Sequence, residues 1–125
     1  GGIHLTKAIH EVAASKTITA TILSGASTTE EIDLEGYQLA AIQMPSAWTA
    51  AGISYLAATE SGGTFQAVYN NGIEVTATVA ASTCAVAADN ALCLAPLRFI
   101  KIRSGTAGTP VNQTADRTLT LILKR

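Results

Sequence analysis

At 125 residues the chain suits a single domain, and 48% hydrophobic against 14% charged residues exclude a disordered tail, which needs low hydrophobicity and high net charge. Eight basic and nine acidic side chains leave a net charge of −1 and no basic excess to displace counterions from a nucleic acid. No apolar run approaches the ~20 residues of a membrane helix, and the first residues lack the basic-then-apolar layout of a signal peptide. Neither nucleic acid nor membrane is therefore expected as a partner.

Residues 1–14 are expected to form an extended N-terminal arm. In it Ile3, Leu5 and Ile9 supply the apolar groups, and Leu5, Ile9 and Val12 fall at helix-like spacing in a segment with no clear cap. Residues 15–125 are expected to form one domain. From Thr17 the period becomes two: Ile18, Ala20 and Ile22 alternate with Thr17, Thr19 and Thr21, which predicts a half-buried strand. A turn at 24–27 and an acidic piece, Glu30 to Leu34, precede a strand at 37–44. There Leu39 and Ala41 oppose Ala40 and Ile42, and Pro45 ends the strand because it has no N–H for a ladder.

Ile53 to Ala58 is the next predicted strand. Phe65 to Tyr69 and Ile73 to Thr78 flank Asn71-Gly72, the best local hairpin signal, since both residues tolerate positive φ. Thr83 to Val86 and Ala91 to Leu94 bracket Asp89-Asn90 and predict a further hairpin. Leu97 to Arg103 alternates with mixed character on both faces, as a central strand would. Arg117 to Leu123 closes the chain with Leu119, Leu121 and Leu123 on one face. About eight short strands at regular spacing predict an all-β fold, an antiparallel β-sandwich of jelly-roll type. Much of the apolar content is alanine and only 5% of all residues are aromatic, so a modest core and a thinly charged surface predict burial against copies of itself or another protein.

No catalytic constellation assembles from this pattern, and no enzyme, cofactor or metal is expected. His4 and His10, six apart, fit neither a helical nor an adjacent-strand metal pair. Glu31 and Asp33 share a strand face, as a cation contact or as a solvated acidic edge that discourages aggregation. Cys84 and Cys93 would lie opposite each other if their segments form a hairpin, within reach of a disulfide. Two free thiols packed as small hydrophobes fit the sequence as well, and a reducing compartment favours them. Trp48, just past a strand end, is either an anchor at a partner surface or a plug over the open end of the core. Arg98, Lys101, Arg103 and Arg117 would form a cationic cluster if the last two strands pair.

Two stretches carry a resemblance. YQLAAIQMPSAWTAAGISYLAATESGGTFQAVYNNG and LRFIKIRSGTAGTPVNQTADRTLTLILKR, covering roughly residues 37–79 and 97–125, resemble small all-β structural proteins of tailed bacteriophages, of head decoration or cement type. The first stretch and LRFIKIR are also similar, as an analogy of fold, to galactose-binding-like sandwiches. The first resemblance implies a virion protein made in the host cytoplasm and seated on the outer capsid surface. Its partners would be the major capsid protein and copies of itself, a homotrimer by that analogy, with Ile3, Leu5, Ile9 and Trp48 at the interface. The alternatives it leaves are a carbohydrate-binding module of a tail or head fibre, stacking sugars on Trp48, Tyr55 or Tyr69, and a tail-tube or neck adaptor.

Overall fold

The computed structural model describes residues 15–125, so the expected arm and its residues Ile3, Leu5 and Ile9, with His4 and His10, lie outside the described residues. The described residues form eleven strands and one helix. In chain order these are β1 (Ser15–Ile22), β2 (Ile32–Asp33), β3 (Gln38–Gln43), β4 (Ile53–Ala58), β5 (Gln66–Ala67), β6 (Tyr69–Asn70), β7 (Ile73–Glu74), β8 (Thr76–Ala77), β9 (Cys84–Val86), α1 (Ala88–Leu94), β10 (Phe99–Ser104) and β11 (Arg117–Lys124).

One antiparallel sheet has the order β1-β11-β3-β9 and the other β2-β10-β4-β5, with β8 also paired to β4; β6 and β7 form a separate hairpin. The chain crosses between these two sheets from β1 through β4 and again from β8 through β11, and its last strand returns beside its first, the order of a jelly roll. Between the sheets lies one core. Ala20, Leu39, Ile42, Leu119, Leu121 and Leu123 come from the first sheet; Ile32, Ile53, Tyr55, Ile100 and Ile102 come from the second. It is built from Leu and Ile more than from the alanine that dominates the composition. Each such side chain, fully buried, contributes roughly 1.5–3 kcal/mol.

The alternation read from β1 holds: Ala20 and Ile22 are buried while Thr17 and Thr19 face solvent, and Ile18 and Ala20 pair with Leu121 and Leu119. In β3 the phase breaks. Ala41 pairs with Ile122 and Leu39 with Leu123, leaving Ala40 as an extra residue whose carbonyl accepts from Ala87 N at 2.9 Å. This bulge turns both Leu39 and Ile42 inward, where simple alternation places them on opposite faces. β10 sits between β2 and β4, as its two-sided character predicts.

The expected hairpin around Asp89-Asn90 does not form. Residues 88–94 make a helix that packs on β3, because Ala and Leu favour helix and Leu94 finds a fully buried seat in the core. Asn90, read as a turn residue, is instead 8% exposed; its Oδ1 accepts from the Tyr55 hydroxyl at 2.8 Å and its Nδ2 donates to Thr76 O at 3.2 Å. The helix is thereby pinned to β4 and β8, bridging the two sheets along one lateral edge.

Candidate protein-interaction surface

That lateral edge carries four of the most exposed large apolar side chains. Val86 on β9 and Leu92 on α1 are each 78% exposed, Ile73 on β7 71% and Tyr69 on β6 57%. The hairpin exists because Asn71 and Gly72 both adopt positive φ, 54° and 78°, giving a tight two-residue turn whose twist suits paired strands. Its stem is fixed from below. Val68 N donates to Tyr55 O, Val75 N donates to Val68 O, and the Val75 side chain is buried. Glu74 accepts from Arg103 Nη2 at 2.7 Å and from Ala107 N at 3.0 Å. A rigid base therefore holds Tyr69 and Ile73 out in water.

Shallow grooves of about 340 and 300 Å³ separate hairpin from helix, and half-buried Cys93 lines both, with Ile73 in one and Tyr69 and Leu97 in the other. Exposed apolar groups brought to one edge offer a surface for a protein partner to cover. The sequence predicts burial against a partner but does not locate it: Tyr69 is marked only as a candidate sugar platform, Ile73 stands out only once the hairpin is known to project, and Leu92 falls in a stretch whose pattern suggests a strand.

The other candidate residues are placed as follows. Cys84 is exposed on β9 and Cys93 sits on α1, both as free thiols; with the hairpin replaced by a helix, the geometry that would bring them together is absent. Trp48 lies half-buried between β3 and β4, packs against the core and donates from Nε1 to Ala51 O at 3.0 Å, the arrangement of a plug. Tyr55 is fully buried and presents no ring to a sugar.

The cationic cluster does not form, because β10 and β11 lie in different sheets. Arg98 donates from Nε and Nη2 to the two carboxylate oxygens of Asp33 at 2.9 and 3.0 Å; Arg103 meets Glu74; Arg117 reaches Gln113, Thr49 and Thr114; Lys101 lies over the Phe65 ring at 4.5 Å.

The acidic run is likewise taken up within the chain. Arg98 holds the Asp33 carboxyl below the usual carboxylate range, and the Gly62 N–H with the Ser61 hydroxyl does the same for Glu31, at 2.7 and 2.6 Å. Among the described residues no group of three or more His, Cys, Asp and Glu side chains is placed to hold a metal ion.

The end of the sandwich beneath Trp48 is locked by Gln113, 1% exposed. Its Oε1 accepts from Thr49 N at 2.8 Å and Arg117 Nε at 3.2 Å, and its Nε2 donates to Thr49 O at 3.1 Å and Ser104 Oγ at 2.7 Å. No protein-family model matches the chain, and no curated protein matches it significantly. Among solved structures it is similar to the crystal structure of the SPBc2 prophage-derived protein YomS, at 15% identity and a TM-score of 0.49, covering 90% of this chain and 96% of that one.

Proposed function

We propose that the chain is a bacteriophage virion protein of head decoration or cement type, bound to the outer surface of the head through its helix–hairpin edge. The observation that carries this reading is the set Tyr69, Ile73, Val86 and Leu92, exposed along one side of the jelly roll, the first two on a stiff base. Covering apolar side chains yields roughly 25 cal/mol per Å² removed from water, so a capsid wall that seats this edge would stabilise the bound chain. The sequence resemblance of residues 37–79 and 97–125 to small tailed-phage structural proteins supports the major capsid protein as that wall.

The test is binding to purified expanded heads, read by co-sedimentation. The wild-type chain is expected to bind in near-stoichiometric ratio to the capsid subunit, and Ile73→Asp with Leu92→Asp to abolish binding while the far-UV circular dichroism stays unchanged. Undiminished binding by the folded double variant would remove the assignment of this edge. A saturable shift of Trp48 fluorescence with one sugar class, and no head binding, would support the adhesion module instead.

A further inference from the structure

We propose that two copies of this chain join through the open edge of β1, pairing antiparallel about a two-fold axis at Thr17. The inference stands on the geometry of β1 and is independent of the virion reading. Among the described residues sheet order makes β1 an outer strand, and at eight residues it is far longer than the other outer strands, β9 with three and β2 and β5 with two each. Long edges are templates for another strand, and proteins ordinarily blunt them, with Lys among the devices.

Here the blunting is partial. Ile22 bridges Thr29, and Thr21 N, which points away from β11, donates to both Glu30 carboxylate oxygens at 3.2 Å. Because N–H directions alternate along a strand, the main-chain groups of Ser15, Thr17 and Thr19 point outward as Thr21 does, and among the described residues none of their N–H groups has a partner.

Glu30 then sets the register. A second β1 extends along Ser15 to Thr19 and must stop before Thr21. The symmetric antiparallel pairing that fits sets Thr17 against Thr17 and Ser15 against Thr19, forming about six main-chain hydrogen bonds. Thr and Ser meet across the solvent face, a favourable cross-strand combination. Lys16 lies opposite Ile18, its charge already met by Glu35 at 3.2 Å within its own chain. The product is one continuous sheet running from β9 of one copy to β9 of the other, with both helix–hairpin edges left free.

Analytical ultracentrifugation of the full chain is expected to give twice the 12.8 kDa chain mass. Thr17→Pro, which removes an outward N–H that an edge strand can spare, is expected to give a folded monomer. Should that variant fail to fold, cross-linking decides. In a Cys84→Ser background, mild oxidation is expected to link Thr17→Cys chains through a reducible bond and to leave Thr19→Cys unlinked. A monomeric wild type, the trimer implied by the phage resemblance, a dimer untouched by Thr17→Pro, or linkage at 19 in place of 17 would each overturn the proposal.

Discussion

Arg103 donates from Nη2 to Glu74 Oε2 across 2.7 Å with the two side chains only 10% and 15% exposed, so a nearly dry ion pair ties the central strand β10 to the projecting hairpin. Ser54 completes it, accepting from Arg103 Nε at 3.0 Å and donating to Gly105 O at 2.8 Å. Glu74→Ala strands a buried guanidinium, and removing one partner of such a pair typically costs about 3–5 kcal/mol. The low end, about 3 kcal/mol, is expected here because Ser54 keeps one bond. Urea unfolding of Glu74→Ala and of Glu74→Ala with Arg103→Met checks this: the double variant should recover much of the loss, and an additive result would show the pair to be uncoupled.

Gln113 uses both ends of its amide to hold the Trp48 loop against the loop that follows β10. Gln113→Ala leaves Thr49 N and Ser104 Oγ without these partners, at about 1–3 kcal/mol for each buried group that water fails to reach. Since Trp48 is the only tryptophan, its emission reports on the loop directly. A red shift at temperatures well below the unfolding midpoint is expected; unchanged emission with lowered stability would mean that the loop is held without the amide.

How much of this was legible beforehand depends on whether the information is local. Strands such as β1 and β11 write their burial into a period of two, and Asn71-Gly72 writes a turn into two adjacent residues, so both are readable. The helix at 88–94 is not. Ala91 to Leu94 is too short for periodicity to separate helix from strand, and Asn90 next to Asp89 imitates a turn until Tyr55, 35 residues away, is seen to hold it. The locks at Glu74 and Gln113 are likewise invisible, because their partners lie 29 and 64 residues distant. The exposed edge is hardest of all, since Ile73, Val86 and Leu92 look in sequence like any other core residues and Tyr69 is marked only as a candidate sugar platform.

The two depressed carboxyls give stability a definite pH dependence. Asp33 is lowered chiefly by its hydrogen bonds from Arg98, and Glu31 chiefly by the Gly62 N–H, so each binds a proton more weakly folded than unfolded. The unfolded chain therefore takes up more protons as pH falls. Stability from these groups is complete above the ordinary carboxylate values of about 4 and drains away as pH drops through the lower folded values. Thermal midpoints taken at intervals between about pH 2 and 6 should fall toward acid, and Asp33→Asn with Glu31→Gln should flatten part of that slope. An unchanged slope in the double variant would assign the acid sensitivity to other carboxylates.

Gly25 and Gly105 share a left-handed backbone, φ 82° and 89°, and differ in what a side chain would meet. At Gly25 a Cβ points into open space. At Gly105 it would collide with the Thr109 carbonyl oxygen and stand 2.8 Å from Val111 N, main-chain atoms already committed to the Gly105–Pro110 bridge and to the bond from Val111 N to Ser104 O. Gly25→Ala should cost only the left-handed penalty of about 1–2 kcal/mol. Gly105→Ala should cost distinctly more, because backbone must move, and the movement would disturb Ser54, which donates to Gly105 O, and through it Arg103. Parallel urea titrations of the two variants check the order, and equal losses would show that the 105–110 loop yields without strain.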